Sequence, residues 1–152
     1  MTLQNLNWKL FLFGFAKIPA IGFCRPKVTA ISEKAISVKI PLRRKTRNHV
    51  GSMYLGVMTV GADLASGFLA FYLLELRGLK AAPVFKSMQA EYFKRAEDDV
   101  NFVCGDGDRI AEMLDKMEQT KERVNRMVVV SAMCNNDEVA RFTMELSMKL
   151  RS

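Results

Sequence analysis

Histidine and tryptophan occur once each in this 152-residue chain and cysteine only three times, so several kinds of chemistry lack their raw material. Cys24, Cys104 and Cys134 form no C-x-x-C pair and cannot all pair with one another. That excludes a disulfide framework and a zinc knuckle, and points to a reducing, cytoplasmic setting. His49 has no other metal-binding side chains clustered near it, so a loop residue is the simpler reading and no metal is expected. Acids are almost missing from the first third: residues 1–50 hold ten Lys or Arg and one acid, Glu33, whereas the remainder is nearly neutral. The bases are not interleaved with aromatics as in an RNA- or DNA-reading motif, so no nucleic-acid partner is expected.

Long apolar runs are also missing from the N-terminus. The stretch Leu10 to Ala16 is too short to cross a bilayer, ends at Lys17 and Pro19, and is followed by no clear small-x-small cleavage site. Residues 1–24 read as an amphipathic helix that docks on the domain, with peripheral membrane contact as a further option. What the chain does have is apolar content of 49%, enough for one core and one domain over 1–152.

Beyond Pro26, Ile36, Val38, Ile40 and Leu42 alternate with polar residues or proline, the period of a half-buried strand. After the basic cluster RRKTRNH, Val50 to Leu74 carries a single charge, Asp63, and four glycines. With Gly78 as its stop, this predicts a central helix over 50–77. Period two returns in Val84–Lys94, Val100–Cys104, Val124–Cys134 and Ala140–Leu150, while Ile110, Met113, Leu114 and Met117 mark an amphipathic helix from Asp108 to about Arg123. The fold class is therefore α+β, with about five mostly antiparallel strands and one helix apolar on nearly every face.

A transmembrane span is the competing reading of that helix. It would place Asp63 in mid-bilayer, at a cost of several kcal/mol, and leave the amphipathic strands without a helix to cover. A core helix wrapped by a sheet explains everything but Asp63. A lone carboxylate there must be hydrogen-bonded, protonated or at the edge of a cavity, because burial while ionised and unpaired is too costly. Asp63 is thus the strongest functional candidate.

The run NHVGSMYLGVMTVGADLASG, preceded by an alternating strand and a basic turn, resembles the core signature of hotdog-fold acyl-CoA thioesterases. The likeness is to the phenylacetate-degradation type, in a bacterial subgroup with an extra apolar N-terminal helix. It rests on the spacing of Asn48, Gly51, the triplet Tyr54-Leu55-Gly56 and Asp63, and on the order of elements along the whole chain. It implies a curved sheet wrapped around the central helix and a homo-oligomer, dimer or tetramer, that builds its sites at the interface. Length supports the pairing independently: Leu55 and Asp63 lie eight helical steps apart, roughly 12 Å, too far for one helix to offer both to one thioester.

The resemblance further implies hydrolysis of acyl-CoA to a free acid and coenzyme A, with no cofactor beyond the coenzyme A of the substrate. The backbone amides of Leu55 and Gly56 would hold the oxyanion, Asp63 of the opposing subunit would act as general base or nucleophile, and Asn48 would orient the water or the thioester. Gly51 and Tyr54 would belong to the substrate site, and Met53 and Met58 are candidate walls of an acyl pocket. The basic residues Arg43, Arg44, Lys45 and Arg47 read most simply as a solvated turn; Arg47, with Lys94 and Arg95, is also a candidate for the phosphates of coenzyme A. Tyr54 stands where many members have histidine, and Leu55 where they have glycine. A non-catalytic hotdog protein that binds acyl chains or CoA esters is therefore the second reading.

Overall fold

Alternation of buried and half-exposed side chains sets the strands in a computed structural model that describes residues 2–151. The elements run α1 (Leu3–Ala16), α2 (Pro19–Cys24), β1 (Lys27–Ile31), β2 (Ile36–Ile40), α3 (Leu55–Leu76), β3 (Val84–Tyr92), β4 (Val100–Cys104), α4 (Gly107–Thr120), β5 (Val124–Cys134) and β6 (Asp137–Met148). Ile36, Val38 and Ile40 point inward along β2, as do Val100, Phe102 and Cys104 along β4. All neighbours are antiparallel in one six-stranded sheet, ordered β1-β2-β4-β5-β6-β3. Asn135 and Asn136, both at positive φ, make the tight turn that joins β5 to β6.

The apolar helix α3 lies against β2, β4 and β5, with most of its length buried. By length and composition it could cross a membrane, but here it fills the core of the sheet. Gly61 lets it sit close: a Cβ there would fall 2.3 Å from the Phe102 ring on β4. α4 buries Ile110, Met113, Leu114 and Met117 and packs on α3 and β5.

Three elements differ from the sequence expectation. β1 is a sixth strand, unmarked by periodicity because only Val28 of its five residues is buried. The N-terminal helix is two helices, broken at Lys17 and Ile18, with Pro19 opening the second. The central helix begins at Leu55 rather than at residue 50, because Asn48 and Gly51 first make a turn, and Met53 pairs with Arg47 in an isolated bridge.

α1 is tied to the body by its buried residues Leu6, Leu10 and Gly14 and by one carboxamide. Asn7 accepts from the Val28 amide at 2.8 Å and donates to the Val28 carbonyl at 2.9 Å, so it completes the outer edge of β1. Asn7→Ala leaves both backbone groups unpaired, and a loss of about 1–2 kcal/mol in a urea titration is expected. The opposite face of α1 is open: Trp8, Phe11 and Phe15 stack in a row at 5.7 and 6.3 Å between ring centres. Phe15 is 77% exposed.

Candidate active site

The first turn of α3 presents unoccupied donors. Tyr54, in extended conformation, precedes the helix without a side-chain cap, and the amides of Leu55 and Gly56 have no acceptor among the described residues. The turn is fixed from both sides: the Tyr54 amide donates to the Thr46 carbonyl at 2.9 Å, and the Met53 amide to the Ala96 carbonyl at 2.8 Å. Gly56 accommodates the Tyr54 ring, which would lie 2.7 Å from a Cβ at that position.

The preceding loop is built by Asn48. Its Oδ1 accepts from the amides of Val50 and Ser52 at 3.0 and 3.1 Å, and its Nδ2 donates to Ser52 Oγ at 3.0 Å. Gly51 closes the turn at φ +84°, a conformation that suits glycine. Asn48 therefore spends its side chain on its own loop, and what it contributes to the site is the position of the Ser52–Leu55 segment.

A cavity of about 440 Å³ opens beside this turn. It brings together Asn48, Met53, Leu55, Met58, Lys94 and Arg95, all singled out in the sequence. Arg47 does not line it; that residue is exposed, and its backbone pairs with Met53. Lys94 also reaches Asp137 at 3.2 Å. The sequence reading missed two hydroxyls here. Thr59 donates to the Leu55 carbonyl at 3.1 Å and stands beside the Tyr92 hydroxyl, whose pKa burial raises. Thr59 has a signal in retrospect, because it stands midway between Leu55 and Asp63 on the same helical stripe.

Asp63 lies elsewhere. It lines a separate cavity of about 140 Å³ among Ile18, Ile21, Phe68 and Phe85, and shares no lining residue with the first. Its carboxylate has no hydrogen bond or ion pair among the described residues, and burial pushes its pKa above the ordinary carboxylate value. No cluster of His, Cys, Asp and Glu suited to a metal ion occurs among the described residues. One chain thus carries a pair of uncapped helix amides and an unpaired carboxylate, on one stripe of one helix and about 12 Å apart.

A six-stranded antiparallel sheet around one long helix defines the hotdog fold, and solved structures share it along the whole chain. A Chlorobaculum tepidum protein of unknown function superposes with a TM-score of 0.85 at 12% identity, covering 99% of this chain and 98% of its own. A thioesterase from Haemophilus influenzae gives 0.73 at 15% identity, with 99% and 92% covered. A mutant thioesterase from Pseudomonas aeruginosa gives 0.72 at 9% identity, with 99% and 96% covered. No curated protein sequence matches. The chain belongs to the family described as a domain of unknown function, DUF4442, whose model matches residues 8–148.

Proposed function

We propose that the protein is a homodimeric thioesterase that hydrolyses acyl-CoA to a free acid and coenzyme A, at sites each made by two chains. One observation carries the reading: an unpaired, partly buried carboxylate stands two turns from uncapped helix amides, on the same stripe of α3. Two solved structures of the same fold are thioesterases by name. A two-fold axis passing α3 at Thr59 would set Leu55 of one chain level with Asp63 of the partner subunit. The edge strand β3 has a free side and mostly exposed residues, so two copies could join there into one longer sheet.

In this site, the thioester carbonyl points its oxygen at the Leu55 and Gly56 amides, which hold the charge that develops on attack. The Asp63 carboxylate takes a proton from water as the hydroxyl adds to the carbonyl carbon. When the carbon–sulfur bond breaks, that proton goes to the departing thiolate. Direct attack by Asp63, with a mixed anhydride then cleaved by water, uses the same geometry. Met53 and Met58 flank the thioester, Tyr54 covers the turn, Gly51 shapes it, and Lys94 and Arg95, with Arg47 beyond the cavity rim, meet the phosphates of coenzyme A. The exposed aromatic row of α1, in the strongly basic first third of the chain, is where an anionic lipid surface would touch the protein.

Because burial raises the Asp63 pKa, the base becomes available only above the ordinary carboxylate range. The expected pH profile of kcat/KM therefore has its acidic limb shifted upward. A limb at the usual aspartate value would place the working group elsewhere. The second reading, an acyl-binding protein without catalysis, is favoured by the Tyr54 ring lying over Gly56, beside the donors. Free-thiol release across an acyl-CoA panel separates the two: no turnover of any substrate, with binding retained, would establish the binder.

A further inference from the structure

The Asp63 cavity has a neighbour across a shared wall of aromatic rings. A second space of about 440 Å³ lies between α1 and the far half of α3, bordered by Leu6, Leu74, Leu79 and Ala81. The two spaces have three rings in common, Phe13, Phe68 and Phe71. Phe68 meets Phe13 and Phe71 edge to face, each at 6.1 Å. The lining is mostly apolar; Tyr72, Lys80 and the pair Lys9–Glu75, joined at 2.8 Å, are its polar members.

We infer that this groove is the acyl-chain channel of the proposed thioesterase, so that the substrates are long straight-chain acyl-CoA esters and α1 is the channel's outer wall. The inference rests on the thioesterase reading. Asp63 to Leu74 is eleven helical steps, roughly 16 Å. An extended chain advances about 1.2 Å per bond, so the groove takes a chain of about a dozen carbons in line with the carboxylate. The mostly apolar walls favour a hydrocarbon. The thioester would sit at Asp63, its chain running under Phe13 and past Phe71 towards Leu79. Chain length is then set where α1 and the Leu79–Ala81 segment close the far end.

Leu79 is half-buried at that end and away from the reacting atoms, so Leu79→Trp fills the channel without touching the chemistry. Dodecanoyl-CoA and butyryl-CoA would be compared with wild type and Leu79→Trp, after unfolding curves show that the variant is folded. Phe71→Ala, which widens the groove from its exposed side, serves if the tryptophan variant does not fold. With Leu79→Trp, kcat/KM for dodecanoyl-CoA should fall about tenfold or more while that for butyryl-CoA stays within about twofold; with Phe71→Ala, the ratio of the two should change in either direction. An unchanged ratio in the folded variant would overturn the channel and leave the thioesterase standing. If wild type cleaves neither ester, the thioesterase reading falls, and the channel is judged by dansylundecanoic acid: fluorescence binding lost in Leu79→Trp or altered in Phe71→Ala supports it, and absent or unchanged binding overturns it.

Discussion

Asp63→Asn should abolish thioester hydrolysis and, at neutral pH, make the protein harder to unfold. Asparagine keeps the shape but can neither take a proton nor form an anhydride, so kcat should drop by about a hundredfold to ten-thousandfold. The gain in stability has the same origin as the activity. Burial raises the carboxyl pKa in the native state above its value in the unfolded chain. The native state therefore binds the proton more tightly, and its advantage is complete below the unfolded pKa and lost as pH rises through the native one. At neutral pH wild type therefore carries a burial penalty that it does not carry in acid. Melting curves should thus separate wild type from Asp63→Asn at neutral pH and converge in acid. Thiol release equal in both proteins would remove Asp63 from the mechanism. The shared site has its own consequence: Asp63→Asn mixed during refolding with a Lys94→Glu, Arg95→Glu variant should recover about a quarter of wild-type activity, since heterodimers rebuild one site of two. Activity that stays at the level of the two separate variants would confine the site to one chain.

Gly61→Val should be among the most destabilising single changes in the core, while Gly67→Ala, less than two turns along the same helix, should be neutral or stabilising. At Gly61 a Cβ would lie 2.3 Å from the ring of Phe102, which is fully buried at the centre of the sheet. The ring has no room to retreat, so α3 must lift from β4, at about 3 kcal/mol for the overpacked contact. At Gly67 the nearest atom is the Phe85 ring at 3.9 Å, an ordinary contact. There the helix preference of alanine dominates, worth about 0.5–1 kcal/mol. Urea midpoints of the two variants should move in opposite directions, or Gly67→Ala should not move at all. A wild-type midpoint for Gly61→Val would mean that the close approach does not hold the helix in place.

Periodicity made most of this architecture legible. β2, β4, β5 and β6 each have one buried face, and α4 has one apolar stripe, so their patterns survive in the chain. β1 does not, being a sheet edge with only Val28 buried; β3, the other edge, is largely exposed and changes register between Phe85 and Ser87, yet its alternation was still readable over Val84–Lys94. The start of α3 was hidden by composition, since Val50–Tyr54 is uncharged like most of the helix it precedes but belongs to the turn that Asn48 holds. For the site, Asp63 stood out as the one charge in its run, and Lys94 and Arg95, read from their charge alone, line the cavity beside the α3 turn. Thr59 and Tyr92 were not legible, because their proximity joins a helix to a strand far along the chain. The groove under α1 was not legible either, since it depends on how two helices pack and not on either alone.

The order of the sheet also bears on how the protein is made. α3 leaves the ribosome before β4 and β5, two of the three strands that cover it, and β3 has a single neighbour, β6, which is the last element of the chain. Until β4 and β5 are made, a 22-residue apolar helix lacks two of its covering strands, and β3 has no neighbour throughout the synthesis of residues 93–136. β4 and β5 can cover α3 in turn as they emerge, but β3 stays unpaired until β6 slots between it and β5. Until then its exposed surface is the kind that holding chaperones bind and that crowded nascent chains share with one another.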